Sequence, residues 1–359
     1  MTGPVHPYYP RQGPAYPHPH YQMQNPDTVE SLWVTVKNMV RVLSMAVVML
    51  LLVYILVIYG TLGASADVYR NLGNIEDYLF ILLPIPPYVF AKASWQLSQP
   101  LGVGAFYTFC LVSILLSGLY MGYKHGPSLL GTIKRLFTRG EIPPVATRNG
   151  IVETVQLYLA ILFFTAVWYM AVRVFFQSDP IAPEGITEAA LYQQMYMFAG
   201  AAVYEEIVTR IFMLGLPLLL LALAFKDRDI PYWRYMVGGD LPIQGRERVV
   251  LYFSALLFGL AHVPGWDMWK LIPSVMAGVA FGYLFLRFSL AAAITLHFII
   301  DYTSIPVTML GDTSTAAAAV YLLIFIGMVF GAIYFYKFTH RALVNLFTPD
   351  DADGKARPV

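Results

Sequence analysis

Charge is what this 359-residue chain has least of. Its 23 Lys+Arg and 22 Asp+Glu come to 13% of the residues, against about 25% in an ordinary soluble domain. Hydrophobic residues make up 58%. So little charge cannot cover a surface in water, which excludes both a soluble globular protein and a disordered one. The two signs nearly cancel, leaving +1, which excludes a nucleic-acid partner held by a basic surface. Cysteine is nearly absent. The single Cys110 excludes an intramolecular disulfide framework and any multi-cysteine metal site. It lies in an apolar run and reads as a small core or lipid-facing residue. The first 30 residues lack the apolar stretch of a signal peptide. They are dense in Pro, Tyr and His (Pro7, Tyr8, Tyr9, Pro10, Pro17, His18, His20), as in a solvated, polyproline-leaning tail.

What is present in quantity is long uncharged sequence. A bilayer-crossing helix needs about 20 mostly apolar residues. Eight stretches qualify, near 42–63, 101–123, 151–175, 188–214, 249–266, 271–287, 289–308 and 314–337. The expected fold class is therefore all-α, a polytopic membrane bundle of about eight transmembrane helices. The stretch Tyr78–Ala91 is apolar but short and interrupted by Pro84, Pro86 and Pro87. It reads as interfacial or re-entrant rather than as a ninth span.

Loop charge sets the expected orientation. The segment 124–150 holds Lys124, Lys134, Arg135, Arg139 and Arg148, and 226–248 holds Lys226, Arg228, Arg234, Arg246 and Arg248. The segments 64–78 and 176–187 are instead acidic, with Asp67, Glu76, Asp77, Asp179 and Glu184. The positive-inside rule places the basic group, and with it both termini, in the cytoplasm of a cell-membrane protein.

Ionisable residues inside spans are expensive and mark function by default. The fourth span carries Glu205, Glu206 and Arg210, the fifth His262, and the seventh His297 and Asp301. His297 and Asp301 are four apart and share a helix face. Glu206 and Arg210 can pair in the same way, which reads as structural bracing. Glu205 points about 100° around the helix from Glu206, toward a different neighbour. A carboxylate in a low-dielectric pocket can act as general base on water. One imidazole can orient that water and another can donate to an oxyanion. These are the parts of amide hydrolysis without a nucleophilic Ser or Cys. The set Glu205, His262 and His297 could instead hold a divalent metal such as zinc, although no His-Glu-x-x-His motif is present. Phe258 reads as packing. Depth poses a problem, because Glu205 and His262 meet only if the fourth helix projects beyond the bilayer or tilts strongly, with 211–225 as a kinked extension.

Glu-Glu-x-x-x-Arg at 205–210, Phe-x-x-x-His at 258–262 and His-x-x-x-Asp at 297–301, in order on successive apolar helices, resemble the CPBP family. These are the CAAX prenyl protease and bacteriocin-processing intramembrane proteases, also called Abi. The resemblance covers roughly 150–310. It implies a bundle with a catalytic cavity open to the cytoplasm. It also implies Glu205 as the base that activates water, His262 as the residue that holds the water, His297 and Asp301 as the oxyanion site, and Glu206 and Arg210 as braces. The prenyl-protease branch usually has Asn at the last position, and an ionised Asp cannot donate to an oxyanion. Asp301 is then protonated, orients His297, or helps bind a cation.

The expected organisation is a disordered tail over 1–32, N-terminal membrane helices over 33–148, a catalytic membrane domain over 149–342 and a tail over 343–359. The expected function is an intramembrane endopeptidase acting by glutamate-activated water, with a peptide or protein substrate at the membrane and the lipid bilayer as its partners. A proton-coupled transporter or a catalytically silent scaffold could use the same cluster. No inverted repeat speaks for transport, and every catalytic position holds a competent residue. Gly278-x-x-x-Gly282 and Gly327-x-x-x-Gly331 favour close helix packing.

Overall fold

The computed structural model describes residues 26–75, 78–85, 89–139, 149–180, 183–226, 230–311 and 313–347. The tail expected over 1–32 lies outside the described residues as far as position 25, and the chain is helical from Pro26. His18, His20 and the last residues, 348–359, also lie outside them. The chain divides into two compact units, Met1–Met45 and Ala46–Val359. In the first, the described stretch is helical and exposes Leu32, Trp33, Met39 and Leu43.

Among the described residues, eight helices are long and apolar enough to cross a membrane. The spans are Met49–Arg70, Leu101–Gly131, Gly150–Phe175, Leu191–Ala224, Gly245–Trp266, Met268–Arg287, Leu290–Leu310 and Thr315–His340. They are built on α1 (Pro26–Thr61), α2 (Leu101–Arg139), α3 (Gly150–Phe175), α4 (Leu191–Ala224), α5 (Gly245–Trp266), α6 (Leu271–Arg287), α7 (Leu290–Asp301, continued by short helical turns to Leu310) and α8 (Thr315–Phe347). The protein is an all-α polytopic bundle. Two boundaries shift from expectation. Helix α2 continues through Lys124 and Lys134 to Arg139, so much of the basic segment 124–150 is helix rather than loop. Its apolar part is long enough for the bilayer, and the charged continuation carries on beyond it. Helix α4 runs unbroken past Gly215 and Pro217 to Ala224.

The proline-broken stretch forms a hairpin. Strands β1 (Tyr78–Ile85) and β2 (Val89–Gln96) pair antiparallel, with Tyr78 opposite Gln96 and Ile85 opposite Val89. Pro84 forbids a helix interior but not this sheet, because both strands of a two-stranded sheet are edges.

Capping and close contacts set the helix positions around the polar cluster. Asn149 caps α3, its Oδ1 accepting from the Ile151 and Val152 amides at 3.0 and 3.2 Å. Ser289 caps α7 through the Ala292 amide. Between α4 and α5, Gly238 and Gly239 take positive φ values of 76° and 93°. That conformation brings the chain against the end of α6, where the Gly239 amide donates to the Phe285 carbonyl at 2.9 Å. The Gly-x-x-x-Gly pairs pack as expected. A methyl group at Gly278 would sit 3.1 Å from the Ala255 Cα of α5, and one at Gly331 would overlap the Leu159 carbonyl of α3. Tyr302 donates to the Met195 carbonyl at 2.6 Å and ties the end of α7 to α4. Cys110 is buried in the core.

Candidate active site

The site is built on α4, α5, α6 and α7. Helix α4 is the unusual element. It is α-helical over Leu191–Gly200 and Leu216–Ala224, but π-helical over Ala201–Glu205 and Ile207–Gly215. In a π-helix the hydrogen bonds step from i to i+5, a rare winding that is frequent at functional sites. The adjacent residues Glu205 and Glu206 fall at the junction of the two π segments, near the middle of the helix. With 34 residues at about 1.5 Å each, α4 is about 50 Å long, well beyond a hydrocarbon core of about 30 Å. That length is enough for α4 to bring its middle to α5 and α7, whether it projects past the apolar layer or crosses it tilted.

The two glutamates then face different partners. Glu206 is fully buried. Its Oε2 accepts from Nε of the equally buried Arg210 at 2.9 Å, and its Oε1 lies 2.9 Å from Nδ1 of His297. The guanidinium of Arg210 lies over the Phe258 and Phe281 rings at 5.4 and 5.8 Å, within cation–π range. Its Nη1 and Nη2 have no hydrogen-bond partner among the described residues. Thr209 returns its hydroxyl to the Glu205 carbonyl.

Glu205 turns toward the two histidines. Its Oε2 lies 3.7 Å from Nε2 of His262 and 4.0 Å from Nε2 of His297, and it has no hydrogen-bond partner among the described residues. His262 Nδ1 is 2.8 Å from the Phe258 carbonyl. A carbonyl only accepts, so Nδ1 carries the hydrogen, and in the neutral ring Nε2 is a lone pair. Two acceptors, Glu205 Oε2 and His262 Nε2, therefore confront each other with no hydrogen between them. A molecule with two hydrogens to donate suits that gap.

His297 is enclosed. Phe281 stacks on it at 4.7 Å with the rings 14° apart, and Phe258 stands edge-on at 6.3 Å. Its Nε2 lies 3.3 Å from Asp301 Oδ2, one turn along α7. Both ring nitrogens of His297 thus face carboxylates, Glu206 and Asp301. In the conditional metal set, Glu205 Oε2 lies 3.7 Å from His262 Nε2 and 4.0 Å from His297 Nε2. His297 Nδ1 is taken by Glu206, while its Nε2 faces both Asp301 and Glu205, and as arranged no group of three or more His, Cys, Asp or Glu among the described residues is placed to hold an ion.

All six residues singled out from the sequence come together: Glu205, Glu206, Arg210, His262, His297 and Asp301. Sequence reasoning missed two neighbours. Phe281 carries no sequence signal, since a Phe between two glycines of an apolar helix looks like any core residue. Lys270 did have a signal, as a lone cation between two uncharged runs. Its Nζ lies 3.9 Å over the Trp266 ring, and its charge acts on Asp301 and Glu205. Phe258, read as packing, does pack, and its carbonyl also sets the His262 tautomer.

Neither the curated proteins nor the solved structures include a match to the chain. One family does match, over residues 187–303, and its description is type II CAAX prenyl endopeptidase Rce1-like. The matched stretch begins just before α4 and ends just after Asp301, so it takes in every residue of the cluster. Over about a third of its length, then, this integral membrane bundle is similar to Rce1-like, type II CAAX prenyl endopeptidases.

Proposed function

We propose that the protein hydrolyses peptide bonds of membrane-associated, CAAX-type substrates with a water activated by Glu205. The observation that carries this reading is the confrontation of Glu205 Oε2 and His262 Nε2, two acceptors 3.7 Å apart. A water molecule has two hydrogens and can donate one to each. Glu205 takes the proton and the oxygen adds to the scissile carbonyl carbon. His297, held through Nδ1 by Glu206, presents its Nε2 side to the developing oxyanion. Asp301 positions that ring. The proton on Glu205 passes to the leaving amine as the C–N bond breaks, giving one carboxylate and one amine terminus. Arg210 and Glu206 keep the scaffold in register from a fully buried position. No metal enters these steps. The charge bias of the connecting segments supports a cell-membrane protein with both ends on the cytoplasmic side.

The test is purified protein in detergent with a fluorogenic peptide ending in a prenylated CAAX-type sequence. Glu205→Gln keeps the shape and removes the base, so cleavage falls by about 10²–10⁴-fold while the protein stays folded. Wild-type protein stripped with chelator keeps its rate. Cleavage by Glu205→Gln at the wild-type rate sinks the assigned role. Loss on stripping that stoichiometric zinc restores overturns the metal-free step.

A further inference from the structure

A cavity of about 410 Å³ lies apart from the Glu205 cluster, none of whose residues lines it. Its walls come from α2, from the segment between α4 and α5, and from the start of α7. Lys124 lies over the Tyr120 ring at 5.6 Å, and Arg234 over the Trp233 ring at 5.7 Å. Asp240 is the one acidic side chain in the lining, 3.4 Å from Arg234 Nη1. Two cations against one carboxylate leave the lining with a single positive charge in excess. Lys124 makes no ion pair among the described residues.

The position of the cavity says what kind of anion it suits. The apolar part of α2, from Leu101 to Tyr123, is about 35 Å long, which already spans a hydrocarbon core of about 30 Å. Lys124 follows immediately, where the headgroups begin. Leu290 opens α7 two residues after Phe288, at the same end, and Arg234 sits in the connection leaving α4. This is the end that carries the basic segments. Trp233 is 61% exposed, and half-exposed aromatic rings at this level are the usual membrane-interface anchors. A cationic notch between spans, with aromatic walls at headgroup depth, matches the chemistry of an anionic lipid better than that of a free ion.

We infer that this cavity is a headgroup site for an anionic phospholipid, with the phosphodiester between Lys124 and Arg234. The phosphodiester brings the one negative charge the lining lacks. Its acyl chains follow the apolar flank of α2 and α7 into the bilayer, and its glycerol lies against Tyr120 and Trp233. The site stands independently of the protease reading, since it shares no residue with the cluster.

The test is full-length protein, delipidated in neutral detergent and titrated with short-chain phosphatidylglycerol, phosphatidylcholine or inorganic phosphate. Native mass spectrometry reads bound lipid and thermal unfolding reads the shift in Tm. Phosphatidylglycerol should bind as one retained adduct and raise Tm more than phosphatidylcholine does. Lys124→Gln and Arg234→Gln should each weaken it about five-fold. Asp240→Asn, which removes the competing carboxylate, should tighten it. Because that variant changes affinity in the opposite direction, a general loss of folding cannot imitate the pattern. Arg173→Gln, a cation outside the cavity, should leave binding unchanged. Equal affinity for the two lipids overturns the proposal. So does wild-type affinity in the Lys124 and Arg234 variants, or weakened binding in Asp240→Asn. A Tm rise with inorganic phosphate equal to that with phosphatidylglycerol makes the cavity a free-anion site and overturns the lipid assignment.

Discussion

At the scale of single residues, burial separates the two adjacent glutamates of the cluster. Glu206 and Arg210 are fully enclosed, whereas about a third of the Glu205 side chain is exposed. Removing Arg210 leaves a buried carboxylate facing only an imidazole. Breaking a buried pair from one side costs about 3–5 kcal/mol. Arg210→Ala should therefore lower Tm far more than Glu205→Gln, and parallel melts in one detergent check it. Equal melting temperatures would show that Arg210 is not a brace. Asp301 makes a different prediction. Asn at 301 keeps a polar group beside His297 and adds an N–H donor, so Asp301→Asn should retain full or greater kcat/KM. Asp301→Ala frees the His297 ring, and a small misplacement at the reacting centre costs on the order of 10²-fold. An Asn variant as inactive as the Ala variant would mean that the negative charge itself is needed. The clustered residues were legible in the sequence because charge inside an apolar run is conspicuous. Phe281 was not, because its role comes from a partner on another helix that no local pattern reveals.

Helices here are legible in number and kind but less so in their ends and winding. Hydropathy counts residues that tolerate lipid. It therefore located all eight spans, yet it could not see α2 continuing through Lys124 and Lys134 to Arg139, nor Pro84 accommodated in a two-stranded hairpin. It had no access to the π winding of α4 either, since the spacing of hydrogen bonds leaves no periodic mark in a helix that is apolar nearly all round. What the sequence did show was where helices touch. Gly331 meets the Leu159 backbone, while Gly126 has nothing within 4 Å of an added methyl. Gly331→Ala should then destabilise by about 1–3 kcal/mol through overpacking. Gly126→Ala, in an open helical position, should be neutral or slightly stabilising. Thermal melts of the two variants decide, and a tolerated Gly331→Ala would show that α3 and α8 can move apart freely.

For the molecule as a whole, the remaining question is which side of the membrane each connection faces, and one feature of the core makes it easy to ask. Cys110 is the only thiol in the chain and it is buried. A bulky maleimide that cannot cross membranes has nothing to react with, so the native protein is already silent in a labelling experiment and needs no thiol removed first. Every introduced cysteine then reports on its own position alone. Asp179→Cys, in the acidic connection after α3, should be tagged on intact cells by reagent added outside. Lys226→Cys, at the exposed end of α4, should be tagged only after the membrane is opened. Tagging of both from the same side would reverse the orientation drawn from loop charge. The same silence extends to fluorophores and spin labels, so pairs of introduced thiols could track α4 against α5 while substrate is bound, in protein otherwise identical to the native chain.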